Sequence, residues 1–331
     1  MLNILVTGGL GYIGSHICIE LLNTYNDVNI IIIDNLSNSK IEKLTILEKY
    51  IKKNSKIIFK HIDMLDYFLL ESLFDDNTID IVIHLAGLKS VNESIKNPIY
   101  YYENNISSTI NLVKVMDKYN CKNLIFSSSA TVYGSLEAPF KENMKTGQGI
   151  TNPYGKTKYM QEEILKDLYI SDKSWNIIIL RYFNPISQKN VLLKEEPKGI
   201  PNNLFPYILD VYNKKLTELK IYGNTYDTPD GTCIRDFIHV VDLACGHVKA
   251  CKYIITNNNF PIKTYNLGNG KGISVQELVD KFEEVNKTLI NYNYAEKREG
   301  DIAISYADCM LAFKELEWSA KLGIEEMVKL S

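Results

Sequence analysis

The chain opens with Asn3-Ile-Leu-Val-Thr-Gly8-Gly-Leu-Gly11-Tyr-Ile-Gly14-Ser-His16, a short apolar run that enters a glycine-rich turn. An amphipathic segment, roughly Tyr12 to Leu22, follows it. Both Gly9-x-Gly11-x-x-Gly14 and Gly8-x-x-Gly11-x-x-Gly14 fit the spacing of a strand, turn and helix that cradle a dinucleotide. The physical need is a tight turn, close approach of backbone to pyrophosphate, and a helix N-terminus aimed at the anion. A second apolar run, Val28 to Ile33, ends at Asp34, 20 residues past Gly14. A carboxylate there can accept hydrogen bonds from the adenosine ribose hydroxyls. Asn35, Leu36, Ser37 and Asn38 follow with no arginine to receive a 2′-phosphate, so the cofactor reads as NAD rather than NADP.

Working outward, the same alternation continues. Further strands are expected at Lys56–Phe59, Ile79–His84, Asn123–Ser127 and Trp175–Arg181, with helices at Ile41–Lys52, Tyr67–Phe74, Tyr100–Tyr119 and Tyr154–Leu168. This predicts an α/β fold, a Rossmann-type doubly wound parallel sheet with helices on both faces. Beyond about residue 183 the rhythm breaks at Pro185, Pro197, Gly199, Pro201 and Pro206, and Ser274-x-x-Glu277 reads as a capping box. The expected division is residues 1–183 as the nucleotide domain and 184–331 as mainly a smaller substrate lobe, with segments returning to the main sheet.

The 331 residues, 45% of them hydrophobic, are enough for one large and one small packed unit. A net charge of −3 gives no bulk attraction for nucleic acid, and no apolar run is long enough to span a bilayer. The first strand starts at residue 3, so no targeting segment is expected ahead of it. Six cysteines lie scattered without metal-ligand spacing. The expectation is a cytoplasmic protein with reduced cysteines and no metal.

Tyr154 and Lys158 stand four apart in Asn152-Pro-Tyr-Gly-Lys-Thr-Lys158, on one face of a predicted helix. A free tyrosine titrates near ~10, and an adjacent cation favours the phenolate that proton abstraction from an alcohol needs. On its own the spacing is common on solvated helices. Beside a nucleotide turn, with hydroxyls at Ser127-Ser128-Ser129 closing the preceding strand, it reads as a catalytic pair. His84-Leu85-Ala86-Gly87-Leu88-Lys89 closes another strand with small residues, and Arg181-Tyr182-Phe183-Asn184-Pro185 a third.

Taken together, TGGLGYIGSH (7–16), IDNLSNSK (33–40), HLAGLKSVNES (84–94), YYENN (101–105), FSSSATVYG (126–134), NPYGKTK (152–158), LRYFNP (180–185), GIPNNLFPYI (199–208), DGTCIRDFIHVVDLA (230–244), YNLGNG (265–270) and KREGD (297–301) resemble the UDP-glucose 4-epimerase family. That family is an extended branch of the short-chain dehydrogenase/reductases, and the matching motifs run in family order over nearly the whole chain. The resemblance implies that Tyr154 takes the sugar O4 proton, that Ser129 relays it, and that NAD accepts and returns hydride through a 4-keto sugar. Lys158 would bind the nicotinamide ribose and help lower the Tyr154 pKa. Cofactor contacts are implied at Gly8, Gly11, Tyr12, Ile13, Gly14, Asp34, Asn35, Leu36, Ser37, Asn38, Ser39, Asp63, Met64, Leu85, Ala86, Gly87, Leu88, Lys89, Asn104, Ser129, Tyr154, Lys158 and Phe183. The UDP-sugar is implied at Lys89, Ser129, Tyr154, Asn184, Asn203, Leu204, Lys220, Ile221, Tyr222, Arg235, Arg298, Asp301 and Ser305, with both arginines on the diphosphate. The helices matching Tyr100–Tyr119 and Tyr154–Leu168 pair in family homodimers.

Departures are as informative. Ser305 stands where many members carry a tyrosine beside the sugar 2-substituent, so N-acetylated sugars are expected to fit. Phe237 replaces a common tyrosine, and members carry a Trp-containing tail past the position of Ser331. A nucleotide-sugar 4,6-dehydratase shares the fold, but those relatives carry an Asp-Glu pair where this chain has Ala130-Thr131. A non-catalytic NAD-binding regulator is the other alternative, and intact Ser129, Tyr154 and Lys158 speak against it.

Overall fold

The computed structural model describes residues 1–188, 193–195, 201–298 and 300–330. Pro197, Gly199, Ile200, Glu299 and Ser331, all invoked above, lie outside the described residues. In chain order the first half runs β1 (Leu2–Thr7), α1 (Tyr12–Thr24), β2 (Val28–Asp34), α2 (Lys43–Glu48), β3 (Lys56–His61), α3 (Tyr67–Asp76) and β4 (Ile81–His84). It continues with α4 (Val91–Lys96), α5 (Pro98–Lys118), β5 (Asn123–Ser129), α6 (Pro153–Ser171) and β6 (Asn176–Tyr182). Short elements follow: β7 (Asn184–Ile186), α7 (Leu204–Tyr212), β8 (Leu219–Tyr222), β9 (Ile234–Arg235), β10 (Phe237–His239) and α8 (Val240–Thr256). The last are β11 (Lys263–Leu267), β12 (Ile273–Ser274), α9 (Val275–Asn286), β13 (Tyr292–Ala295), β14 (Ile304–Ser305), α10 (Met310–Leu316) and α11 (Ile324–Val328).

Seven parallel strands form the central sheet in the order β11-β6-β5-β4-β1-β2-β3. The order reverses between β1 and β4, and a sheet of this kind opens its ligand crevice at the carboxyl ends of those strands. Alternate residues serve opposite faces. Ile4, Val6, Ile30 and Ile32 join α1 and α8 in one core, whereas Leu5, Ile31, Ile33 and Val82 join α3, α5 and α6 in the other. Burial on both faces is why the strands read as continuous apolar runs. β11 comes from the second half of the chain and closes the sheet beside β6. A separate core of Phe205, Leu219, Phe282 and Met327 holds α7, α9 and α11 together, and the common-tyrosine position Phe237 is buried in it.

Most element ends lie within three residues of the sequence reading, and two places differ more. The helix expected over Ile41–Lys52 is α only at Lys43–Glu48, because both flanks wind as i→i+3 turns (Leu44 N to Ile41 O, Ile51 N to Glu48 O). The segment after Ser90 forms α4, whose N-terminus Ser90 caps by accepting from Glu93 N at 3.3 Å. The capping box at Ser274 and Glu277 is present in α9.

One buried ion pair ties β5, β6 and α6. Arg181 donates to Glu162 through Nε at 2.9 Å and through its second terminal nitrogen at 2.7 Å, and Ser128 Oγ adds a third bond to Glu162. The remaining guanidinium nitrogen reaches Tyr133 Oη at 3.0 Å and the Glu142 carbonyl at 3.3 Å. Removing one partner of such a pair strands the other charge. Glu162→Gln is therefore expected to cost about 3–5 kcal/mol in denaturant unfolding. A midpoint equal to that of the unmodified protein would refute this.

Candidate active site

At the end of β1 the backbone turns at Gly8 with φ +66°, a conformation that favours glycine. A Cβ built on Gly14 would lie 2.4 Å from Gly8 O, so α1 can close on the strand only without a side chain there. Of the two spacings, the one beginning at Gly8 thus describes the turn's left-handed corner. Gly11 caps α1 with no side chain bonded to the helix end, leaving the first amides of Tyr12, Ile13 and Gly14 facing the turn. This geometry suits a pyrophosphate.

The neighbouring loops are fixed from behind. Asp34, at the end of β2, accepts from Leu10 N at 3.1 Å, Leu36 N at 2.9 Å and Ser39 Oγ at 2.7 Å. Asn35 donates to Asp63 at 2.9 Å, which draws the loops after β2 and β3 together. Ser37 and Asn38 complete the first of these loops. Met64 turns its side chain into a core and presents only backbone. After β4, Thr7 Oγ1 accepts from Leu85 N and Ala86 N, both at 3.1 Å, and bonds His84 Nδ1 at 2.9 Å. Burial, aided by the Lys158 charge, pushes His84 down to about 3, so the ring is neutral and donates from Nε2 to Thr109. Asn105 accepts from Leu88 N at 2.7 Å, donates to Leu88 O at 3.0 Å, and sits against Gly87. The sequence reading singled out Asn104, which is half-buried on α5; its neighbour Asn105 is the buried support for the loop.

Ser129 ends β5, and Tyr154 lies in the first turn of α6, where Asn152 caps the helix by accepting from Gly155 N at 2.8 Å. Ser129 Oγ accepts from Thr131 N at 3.2 Å and Thr131 Oγ1 at 3.0 Å, and spends its own proton on Tyr154. Burial raises the Tyr154 phenol above its ordinary value, and the Ser129 bond pulls it partly back. Lys158 Nζ donates to the Ser127 carbonyl at 2.7 Å and lies 4.9 Å over the Phe126 ring, so its charge points at β5 rather than at the phenol. Beneath them, Tyr182 bonds His247, a buried pair the sequence reading did not foresee because 65 residues separate its members.

In the second lobe, Arg235 and Arg298 converge on Asp301, with N···O distances of 3.7 and 3.0 Å, and Arg298 stacks 4.7 Å over Tyr222. Lys220 is exposed, while Ile221 turns its side chain into the lobe's core. Asp301 therefore holds both of the arginines for which a diphosphate role was implied, besides the ribose role implied for it. Ser305 pairs with Arg235 in the β14–β9 register, and paired residues share a sheet face. Tyr306 lies on the opposite face, its ring beside the space a Gly272 Cβ would fill. Asp236, fully buried, accepts from Asn269 N, Gly270 N and Ala307 N at 2.6–3.0 Å and so anchors the strands bearing Arg235 and Ser305. Phe183 is buried against Phe140, and the exposed Asn184 donates its amide to the Asp236 carbonyl. Asn203 and Leu204 open α7.

A family model described as GDP-mannose 4,6 dehydratase matches residues 5–331. The UDP-glucose 4-epimerase of Bacillus subtilis is 48% identical over 326 residues, 98% of this chain and 94% of that protein. The crystal structure of UDP-glucose 4-epimerase from Bifidobacterium longum in complex with NAD+ and UDP superposes with a TM-score of 0.92 at 48% identity, covering 98% and 96% of the two chains. The UDP-Glc/GlcNAc 4-epimerase of Campylobacter jejuni follows with a TM-score of 0.83 at 32% identity, covering 99% and 98%.

The chain belongs to the UDP-glucose 4-epimerase family.

The family model's description names a dehydratase, but Ala130 and Thr131 follow β5 as a short 3-10 turn, with no carboxylate beside Ser129. Among the described residues no helix is long and apolar enough to cross a membrane, and no His, Cys, Asp and Glu cluster could hold a metal ion.

Burial pushes Lys158 down to about 8, with Glu162 opposing. Between about 8 and the ordinary lysine value near ~10.4, the unfolded chain holds a proton that the folded one has released. This group's contribution to stability therefore rises with pH across that window. Amine labelling of Lys158 in the cofactor-free protein, mapped by mass spectrometry against pH, is expected to show a midpoint near 8, well below that of exposed lysines. A midpoint matching the exposed lysines would contradict it.

Proposed function

We propose that this chain is an NAD-dependent isomerase that interconverts UDP-glucose and UDP-galactose, and UDP-GlcNAc and UDP-GalNAc as well. The meeting of Ser129, Tyr154 and Lys158 at the carboxyl edge of the sheet, beside the Gly8–Gly14 turn, carries the reading. The cradle fits NAD: its glycines leave room for backbone to approach a pyrophosphate, Asp34 faces the ribose position, and no arginine awaits a 2′-phosphate. When bound, oxidised NAD supplies a hydride acceptor at sugar C4 and a positive charge that favours the Tyr154 phenolate.

The chain's own residues do the rest. Tyr154 removes the O4 proton and later returns it. Ser129, already donating to Tyr154, steadies the same oxygen. Lys158, held by the Ser127 carbonyl, keeps a cation next to β5 for the cofactor's ribose. Arg235 and Arg298 grip the diphosphate, prealigned by Asp301. Ser305, small and on the face of Arg235, leaves room for an N-acetyl group, and the Campylobacter relative is named for activity on both sugar types.

A four-substrate assay without added NAD tests the whole reading. Turnover of all four UDP-sugars is expected, with kcat in Tyr154→Phe down by about 10²–10⁴. Ser305→Tyr is expected to lower UDP-GlcNAc conversion by about 100-fold while sparing UDP-glucose. Unmodified enzyme that converts UDP-glucose and leaves UDP-GlcNAc untouched would sink the N-acetyl assignment.

The same proposal includes a cytoplasmic homodimer. None of the six cysteines is joined in a disulfide, as a reducing compartment keeps them. Ile99, Tyr100 and Met160 expose 75%, 48% and 40% of their surfaces on α5 and α6, an apolar stretch that a second copy would cover. Sedimentation at micromolar concentration should give a dimer that Met160→Asp with Ile99→Asp dissociates; a monomer before mutation would rule it out.

A further inference from the structure

Glu195 bridges the two halves of the cleft. It pairs with Lys89 Nζ from the loop after β4, and its two oxygens accept from Asn203 Nδ2 at 3.0 and 3.2 Å. Lys89, half-exposed on a flexible stem, is thereby held 6.0 Å over the Tyr12 ring, and Tyr12 Oη is anchored on the Ser187 carbonyl at 2.5 Å. A parallel link runs beside it: Asn92 donates to Asn202 at 2.8 Å, and Asn202 donates to Ser90 Oγ at 3.0 Å.

Asn203 is the N-cap of α7, where an asparagine oxygen ordinarily accepts from a first-turn amide. Here its side chain makes no cap, and its amide nitrogen is turned to Glu195 instead. The helix forgoes its usual cap so that Asn203 Oδ1 is presented with no partner among the described residues. The carboxylate thus fixes one donor group, the Lys89 ammonium, and the side chain that carries one acceptor, Asn203 Oδ1, about a single point.

We propose that Glu195 is a positioning residue that orients the sugar ring by holding Lys89 and Asn203. A sugar offers hydroxyls that both donate and accept, and a fixed donor facing a fixed acceptor selects one ring orientation. Glu195 acts through its two partners. This rests on the UDP-sugar reading above, because Lys89 and Asn203 are the contacts implied there.

The test compares Glu195→Gln with the unmodified holoenzyme. The amide keeps the side chain's shape but loses the charge and replaces one acceptor oxygen with a donor nitrogen, facing two groups that are themselves donors. The expected result is a fall in kcat/KM for UDP-glucose of about 10–100-fold. UDP affinity by calorimetry should not change, because UDP lacks the hexose that the pair orients. Glu195→Asp should recover part of the rate, and Glu195→Gln should add little in a Lys89→Met background. Lost UDP affinity would mean a structural role and overturn the proposal. A raised kcat/KM would also overturn it, by making Glu195 a plug that substrate must displace. Amine labelling of Lys89 in the absence of any substrate separates this claim from the reading of function. It should rise several-fold in Glu195→Gln whether or not the enzyme turns over UDP-sugars, and unchanged labelling would refute the clasp itself.

Discussion

The Arg181–Glu162 pair sits where β5, β6 and α6 meet, and the placement of Ser129, Tyr154 and Lys158 follows from it. Two charges removed from water are tolerated only when their hydrogen-bonding groups are met. Glu162 accepts two bonds from the guanidinium and one from Ser128. Ser128 lies between Ser127, whose carbonyl holds Lys158, and Ser129, whose hydroxyl holds Tyr154. Lys158 and Glu162 are one helical turn apart on α6. A slip of α6 along β5 by one turn would therefore strand a buried carboxylate and uncouple both catalytic contacts at once. An apolar pair of equal volume could pack the same space, but it would not specify this register.

Burial drives the chemistry in a direction that local spacing hides. Immersion in the protein raises the Tyr154 phenol and lowers the Lys158 amine, since each charged form loses water. A phenolate in this pocket has to be made by donors and charges aimed at it. Ser129 is one such donor, and its own two acceptor sites are already filled from Thr131.

Much of this was readable in the sequence. The glycine turn, Asp34 and the apolar strands follow from steric and periodic rules that need no tertiary information, whereas the strand order does not. Family motifs then located Ser129, Arg235 and Ser305. What could not be read were directions. Tyr-x-x-x-Lys says that two side chains share a helix face, not that the longer one turns to a strand carbonyl. Asn104 and Asn105 look equivalent in YYENN until the helix rotation buries one of them. Glu195 sat in a stretch with no periodicity, 106 residues from its partner Lys89, and nothing local marks it. The strands Ile234–Arg235, Ile273–Ser274 and Ile304–Ser305 are two residues each, too short for any period to show.

Those short strands are organised by Asp236, which does for the substrate lobe what Glu162 does for the sheet. Its carboxylate is buried without a cation and accepts from three backbone amides of two distant segments. Burial raises it to about 6, the amides opposing, so its charge in the folded protein is sustained by backbone dipoles alone. Gly268 is required beside it, since a Cβ there would lie 2.5 Å from the carboxylate oxygen. Arg235 precedes Asp236 in sequence, and Ser305 lies two residues before the Ala307 amide that Asp236 holds. The distance from Arg235 to Ser305 is therefore set by one carboxylate. Under the proposed reading, substrate breadth becomes a matter of side-chain size at Ser305 on a rigid frame, rather than of a loop that adjusts to each sugar.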